Sequence, residues 1–247
     1  MPGSGKALSN WLRAGLSFLY PEICQLCKEN RAAPSEGFVC QGCRGKVKTI
    51  KPPFCDRCGL PYEGAITTSF ECGNCRELDL KFSYARSSVL AKDVVLEAIH
   101  HYKYNRALWL EPFLVELFVA GAGPDLAATK WDLIVPVPLH ATKLREREFN
   151  QAERLGKGLS RATDIVMAKN LLRRIIPTRT QTLLTRKERQ DNVRKAFAFG
   201  SAKPLAGERV VLVDDVLTTG ATTSACARVL LGAGAAEVCV WTVARGT

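Results

Sequence analysis

The stretch that decides the fold is Arg209-Val-Val-Leu-Val-Asp-Asp-Val-Leu-Thr-Thr-Gly-Ala-Thr222. Its beginning, Arg209–Val213, is rich in valine and leucine, which predicts a strand buried on both faces. Gly220–Leu231 then predicts a helix, and Glu237–Val243 predicts a second buried strand. Strand, helix and strand within about 35 residues form a βαβ unit. The sequence therefore predicts an α/β fold with an open, mainly parallel sheet flanked by helices.

The residues that follow the first strand indicate a phosphate site. Ligands of open α/β sheets bind beyond the carboxyl ends of the strands, and a helix that begins there directs free N–H groups at an anion. Three threonines offer hydroxyl groups, and Gly220 permits a tight turn. Asp214 and Asp215 would repel a bare phosphate, but they could hold hydroxyl groups or a magnesium ion on an adjacent part of the ligand. A ribose 5-phosphate has this layout.

The same string resembles the motif that binds phosphoribosyl pyrophosphate (PRPP) in type I phosphoribosyltransferases. The resemblance implies that fold for the chain and a role in catalysis and PRPP binding for Asp214 and Asp215, whose counterparts contact the ribose hydroxyls. It also implies that a short loop cradles the 5′-phosphate. The residues of this loop are Thr218, Thr219, Gly220, Ala221 and Thr222.

Nearly the whole chain resembles the ComF family, competence-associated proteins that join a cysteine-rich zinc module to a phosphoribosyltransferase domain. The segments that carry the match, besides the PRPP motif, are Cys58–Pro61, Lys103-Tyr104, Val135–Leu139, Phe149–Ala152, Arg174 with Thr178 and Gln181, and Arg189 with Asn192 and Phe197. One departure is Glu148, where the family usually has glycine. The resemblance implies transfer of a phosphoribosyl group to an unidentified acceptor, with release of pyrophosphate, and a link to DNA uptake.

Eight of the ten cysteines form four Cys-x-x-Cys pairs before residue 76. Two such turns complete a tetrahedral Cys₄ zinc site, so the pattern predicts two structural zinc ions. A disulfide framework belongs to secreted chains, and a redox pair usually occurs once. Sequential pairing is favoured because its loops are short, although a cross-braced pairing stays open. The predicted ligands are Cys24, Cys27, Cys40 and Cys43 for one ion, and Cys55, Cys58, Cys72 and Cys75 for the other.

The chain divides into three predicted parts. Residues 1–20 form an amphipathic helix, residues 21–78 a double zinc ribbon, and residues 79–247 the phosphoribosyltransferase domain, with a hood at 79–125 and a core at 130–247. A helix is expected over Leu108–Ala120, ended by Gly121-Ala-Gly-Pro124. Cys226 and Cys239 stand alone among apolar residues and are interpreted as buried packing residues.

Positive charge is concentrated in one region. The chain of 247 residues has a formal charge of +11, and residues 140–195 hold 15 Lys and Arg against 6 Asp and Glu, a balance of +9. A solvated face, a pyrophosphate-binding surface and a nucleic-acid surface are all compatible with such a region. Aromatic residues are scarce there, which disfavours stacking on single strands. The resemblance places a pyrophosphate loop at Lys143, Arg145 and Arg147. It places a flap that covers the site at Arg186 and Arg189, so we expect these five residues to meet the pyrophosphate.

The sequence contains neither a membrane-spanning run nor a secretory signal, so the expected compartment is the cytoplasm. Two functions remain open. One is a magnesium-dependent phosphoribosyltransferase, and the other is a non-catalytic protein that senses PRPP or handles nucleic acid during natural transformation. The expected partners are PRPP, an unknown acceptor, and single-stranded DNA or proteins of the competence machinery.

Overall fold

The computed structural model describes residues 22–62, 64, 70–176 and 195–246. The predicted helix over residues 1–20 lies outside them. The helices of four or more residues among the described ones are α1 (Gln41–Arg44), α2 (Gly73–Glu77), α3 (Asp93–Tyr104), α4 (Glu111–Ala128), α5 (Ala141–Arg147), α6 (Gln151–Thr163) and α7 (Ala221–Gly232). The strands are β1 (Ala85–Leu90), β2 (Leu133–Pro136), β3 (Val166–Met167), β4 (Leu172–Arg174), β5 (Phe197–Phe199), β6 (Arg209–Leu217) and β7 (Glu237–Arg245).

Five strands form one open sheet in the order β1-β7-β6-β2-β3, and each neighbouring pair is parallel. β4 and β5 form a separate antiparallel pair. β6 and β7 flank α7, so the predicted βαβ unit is confirmed. The architecture is the predicted open, parallel sheet flanked by helices, with a small cysteine-rich module before it.

Both faces of the sheet are covered. Val211 and Val213 of β6 join an apolar cluster with α3, α4 and α6, whereas Val210 and Leu212 join a second cluster with α7, β4 and β5. The alternation follows the two-residue period of a strand. It explains why Val210–Val213 is a continuous apolar run and not an alternating one.

Two sequence-based boundaries are corrected. β6 continues to Leu217 and so includes the acid pair, because β7 pairs with it as far as Leu217 opposite Arg245. α4 does not end at Gly121 but runs to Ala128. A Cβ on Gly121 would lie 2.3 Å from the Ser88 hydroxyl oxygen, so this glycine allows α4 to approach β1 closely and does not end the helix.

No helix among the described residues is both long and apolar enough to cross a membrane.

Candidate functional site

A cavity of about 430 Å³ opens at the carboxyl ends of β2 and β6, which are neighbours in the sheet. The chain leaves β2 towards β3 on one side of the sheet and leaves β6 towards β7 on the other. Neighbouring strands whose connections diverge in this way create a crevice that is the usual ligand site of open α/β sheets. The cavity is therefore where the sequence motif was expected to act.

The acid pair stands at the base of this cavity. Asp214 and Asp215 both line it, and Asp215 is only 3% exposed. Burial raises the pKa of Asp214 to about 6, although the nearby Lys103, Arg174 and Arg147 oppose the shift. Asp215 is ion-paired, with its Oδ2 atom 2.5 Å from Lys103 Nζ. Both carboxylates thus face cations.

The threonine-rich loop follows directly. Among the described residues, no acceptor lies within hydrogen-bond reach of the backbone N–H groups of Thr218, Thr219 and Gly220. Gly220 has a φ of +80° and precedes α7, whose first-turn N–H groups point the same way as the positive end of its dipole. Thr218 and Thr222 line the cavity. Thr219 Oγ1 accepts a weak bond from the N–H of Ala221, which shapes the turn.

Among the described residues, four cationic side chains line the same cavity: Lys103 from α3, Lys143 and Arg147 from α5, and Arg174 from β4. Burial lowers the pKa of Lys103 to about 8, against the attraction of Asp214. The formal charges of these four cations and two acids sum to +2, which favours a polyanionic ligand. Of the predicted pyrophosphate residues, Lys143 and Arg147 are thus in the cavity. Arg145 is exposed and does not line it, and Arg186 and Arg189 lie outside the described residues.

Local contacts fix the position of α5. The His140 side chain accepts a bond from the N–H of Thr142 and caps the helix at its start. Glu148 ends the helix with a φ of +68°, a conformation that costs a non-glycine residue about 1 kcal/mol or more. This backbone conformation explains why glycine suits the position. Glu148 is held by an ion pair with Arg106, with 2.6 Å between Oε1 and Nη1.

The sequence-based site lacked two of the cavity's cations, Lys103 and Arg174. Both were already among the residues that carry the ComF resemblance. Lys103 follows Tyr102, a fully buried residue that bonds Glu111, and this anchors the end of α3 beside the sheet. The signal that could have identified Lys103 as a site residue is its position next to Tyr102 in the segment that resembles the family.

The eight cysteines before residue 76 meet in two groups of four, and the pairing is sequential. Within the first group, the Sγ atoms of Cys24 and Cys43 are 3.7 Å apart, as are those of Cys27 and Cys40. Zn–S bonds of about 2.3 Å in a tetrahedron require sulfur atoms about 3.8 Å apart. The second group matches as well, with 3.8 Å between Cys55 and Cys75. Both groups fit a structural zinc ion.

Backbone N–H groups also support these sulfur atoms. The N–H of Cys40 bonds Cys24 Sγ at 3.4 Å, and that of Cys72 bonds Cys55 Sγ at 3.3 Å. Such outer contacts orient the thiolate ligands. The first ribbon, Cys24–Cys43, and the second ribbon, Cys55–Cys75, therefore share one construction.

Comparisons with known proteins agree with this picture. A family described as "Double zinc ribbon domain" matches residues 15–76. The chain is 31% identical to "Competence protein F" of Haemophilus influenzae over 228 residues, covering 90% of this chain and 96% of that protein. It is 31% identical to "DNA utilization protein YhgH" of Escherichia coli strain K12, covering 91% and 97%. "Competence protein ComFC" of Bacillus subtilis is 28% identical, with 84% of each chain covered.

Among solved structures, the chain is similar to adenine phosphoribosyltransferase from Saccharomyces cerevisiae. The identity is 16%, the match covers 58% of this chain and 72% of that one, and the TM-score is 0.37, a likeness too slight to carry any inference about function. The match to the competence proteins, in identity and in coverage, is high enough to assign the family. The chain belongs to the ComF family.

Proposed function

We propose that the protein binds PRPP together with Mg²⁺ and transfers its phosphoribosyl group to an acceptor, with release of pyrophosphate. The observation that carries this proposal is the content of one cavity. An acid pair, a loop with free backbone N–H groups and four cations surround a space of about 430 Å³. PRPP has hydroxyl groups, a phosphate monoester and a diphosphate, which are the three groups that these residues would bind.

Each set of residues has a distinct part in this proposal. Asp214 and Asp215 accept hydrogen bonds from the ribose hydroxyls and hold the ring at the end of β6. The N–H groups of Thr218–Gly220 and the start of α7 bind the 5′-phosphate, where the dipole of the helix favours an anion. Lys143, Arg147 and Arg174 face the diphosphate and stabilise the charge that develops on it as it departs.

The donor set also fits magnesium. Mg²⁺ is usually bound by one or two carboxylates together with phosphate oxygens of the substrate. Of the residues that the structure describes, Asp214 and Asp215 provide the two carboxylates of the cavity. The bound ion would neutralise part of the diphosphate charge. The ion pair between Lys103 and Asp215 would place a cation beside the bound diphosphate and the ion.

Calorimetry with PRPP in the presence and absence of Mg²⁺ tests the proposal. Replacing both acids, Asp214→Asn with Asp215→Asn, should weaken PRPP binding at least about 100-fold, because hydrogen bonds to charged groups contribute about 1.5–3 kcal/mol each. Asp132→Asn is the matched control. Asp132 accepts a bond from the N–H of Arg209 at the opposite end of the sheet, so its loss should leave PRPP affinity unchanged.

The proposal is wrong if the wild-type protein binds no PRPP, or if the double variant binds it as tightly as the wild type. Release of pyrophosphate in the presence of a panel of bases then separates turnover from binding alone.

The second candidate is a non-catalytic protein that binds PRPP or single-stranded DNA and acts with other proteins of the competence machinery. The names of the relatives, which refer to competence and DNA utilization, favour it. PRPP binding without pyrophosphate release for any base would support this candidate. DNA binding that weakens with salt and persists in the double Asp variant would support it further.

A cytoplasmic location is part of the proposal. None of the ten cysteines, all of which the structure describes, forms a disulfide, and eight of them converge in groups that fit a metal ion and require reduced sulfur. Such sites suit a reducing compartment.

A further inference from the structure

Arg245, the last residue of β7, joins the phosphate loop to the second ribbon. Its side chain is buried, with an exposed fraction of 3%. The Nη1 atom donates to the carbonyl oxygens of Leu217 at 2.9 Å and Thr218 at 2.7 Å. The Nη2 atom donates to Cys58 Sγ at 3.6 Å. One guanidinium group therefore contacts both the start of the loop and a predicted zinc ligand.

The buried positive charge of Arg245 requires a negative group nearby. No carboxylate among the described residues forms an ion pair with it. A buried cation without a counter-charge is strongly unfavourable. Four thiolates around Zn²⁺ carry a net charge of −2, and Cys58 presents that charge to Arg245. The filled zinc site is thus the counter-charge of the arginine that holds the loop.

The bonds to Arg245 also orient the loop. In a trans peptide the C=O and N–H groups point in opposite directions. Because the carbonyls of Leu217 and Thr218 face Arg245, the N–H groups of Thr218 and Thr219 face away from it. These are two of the N–H groups without an acceptor among the described residues. Arg245 thereby keeps them available for an anion.

A second set of contacts comes from the chain that leaves the second ribbon. The hydroxyl of Ser224, in the first turn of α7, accepts a bond from the N–H of Lys81 and donates to the carbonyl of Asp79. A Cβ on Gly220 would lie 3.4 Å from the ring of Phe82, so this segment also packs against the loop. The loop is supported from two directions by residues of, or next to, the second ribbon.

Within the part of the chain that the structure describes, the first ribbon makes no equivalent contact. Arg44, which directly follows the last cysteine of this ribbon, donates to the carbonyls of Val39 and Glu36 and pairs with Glu116 of α4. None of these residues lines the cavity. The two ribbons thus offer a matched pair, one connected to the loop and one not.

We propose that the second zinc site positions the phosphate-binding loop through Arg245, so that zinc at this site and a phosphate ligand in the cavity stabilise each other. Arg245 is a positioning residue that acts through the peptides of Leu217 and Thr218. The phosphate side of this link rests on the proposed PRPP site. The support of the loop by zinc does not, and it can be measured without ligand.

Two variants of the full-length protein isolate the link. Arg245→Lys keeps the positive charge but loses the planar fork that reaches two carbonyls and a sulfur. Cys58→His keeps a zinc ligand but removes the thiolate that faces Arg245. Arg44→Lys is the control at the first ribbon. Zinc content is measured for each, and two ions per chain are expected in all three.

Hydrogen exchange of the ligand-free protein gives the first readout. We expect the amides of Ser224 and Gly246, which bond the carbonyls of Gly220 and Leu217 at the two ends of the loop, to exchange about 10-fold faster in Arg245→Lys and in Cys58→His than in the wild type. No change is expected in Arg44→Lys. Calorimetry gives the second readout, in which PRPP affinity falls about 10-fold in the first two variants only.

Unchanged loop exchange in Arg245→Lys, or an equal increase in Arg44→Lys, would overturn the inference. If the wild type binds no PRPP, the proposed function fails, while the exchange data still decide whether the second zinc site supports the loop. If PRPP binds equally well to the wild type and to both second-ribbon variants, the proposed function survives and the link to the ligand is wrong.

Discussion

The two zinc ribbons have the same sulfur geometry but different neighbours. The cysteines of the first ribbon join the apolar cluster that contains α3 and α4, and those of the second join the cluster that contains α7. Among the residues 22–62, 64, 70–176 and 195–246, only the second ribbon has a ligand in contact with an arginine that holds the phosphate loop. The comparison teaches that the contribution of a structural zinc site depends on what its ligands and the surrounding chain contact and not on the sulfur geometry alone.

One glycine in each ribbon packs against the sheet domain, so the two packing contacts can be compared. Gly37 and Gly59 both have a φ of +65°. A Cβ would lie 2.8 Å from the N–H nitrogen of Phe113 on α4 at Gly37, and 2.8 Å from the carbonyl oxygen of Ala85 on β1 at Gly59. Each glycine therefore lets its ribbon approach the sheet domain closely.

Replacing these glycines should produce the largest effects. Gly37→Val and Gly59→Val should each lower the free energy of unfolding by about 2–5 kcal/mol, from the left-handed backbone and from overpacking. Only Gly59→Val should also weaken PRPP binding, because it displaces the turn that carries Cys58. Urea unfolding and calorimetry measure the two quantities, and the milder Gly→Ala variants serve if a valine variant does not fold.

Equal losses of PRPP affinity at Gly37 and Gly59 would remove the distinction between the ribbons.

The cavity and the first ribbon also differ in whether their carboxylates are buried, and therefore in how pH affects their contribution to stability. The raised pKa of Asp214, about 6, means that the folded state holds this proton more tightly than the unfolded chain. Stability from this group is therefore lost as pH rises from about 4 to 6. Asp214→Asn should raise the free energy of unfolding at pH 7 by about 1–3 kcal/mol relative to the wild type, while it weakens PRPP binding.

The matched change at the first ribbon is Glu116→Gln. The Glu116 side chain is 60% exposed, so the loss of its pair with Arg44 should change the free energy of unfolding by no more than about 1 kcal/mol. Urea unfolding at about pH 4.5 and at pH 7 should show a pH-dependent difference from the wild type for Asp214→Asn alone. A destabilised Asp214→Asn protein at pH 7 would contradict this.

The smallest effects are expected at two non-glycine residues with positive φ, Lys28 in the first ribbon and Glu148 after α5. Replacing either with glycine relieves backbone strain but loses an exposed contact, so the free energy of unfolding should change by less than about 1 kcal/mol. Glu148→Gly should tighten PRPP binding about two- to fivefold, since it removes a negative charge near the cations of α5. Lys28→Gly should not change it, and a change there in calorimetry would argue against the assignment.

Local patterns predicted much of the architecture. The apolar run before Asp214 predicted a strand buried on both faces, and the Cys-x-x-Cys spacing predicted two metal groups with the favoured sequential pairing, because each depends on neighbouring residues. The acid pair and the threonine loop were likewise predicted together, and the structure brings both to one cavity. The end of β6 was placed too early, since its length is set by pairing with β7.

Contacts between distant parts of the chain could not be predicted in this way. Lys103 meets Asp215 only because α3 packs beside the end of the sheet. Gly121 looked like a helix breaker, but close packing against Ser88 decides its role. α5 has no buried residue and hence no apolar period to reveal it. Arg245 ends a strand, and its burial depends on the second ribbon that lies more than a hundred residues earlier.

Because Cys226 and Cys239 are buried, the number of reactive thiols in the folded protein reports how much zinc it has lost. Both side chains are fully buried, and the other eight cysteines converge in the two metal groups. In the zinc-loaded, folded protein a thiol-reactive dye would find no free, accessible sulfur. Removal of zinc by a chelator should make eight thiols reactive. Unfolding should make the remaining two, Cys226 and Cys239, reactive as well. A single engineered surface cysteine could therefore be labelled selectively, which opens the protein to fluorescence distance measurements without removal of any native cysteine.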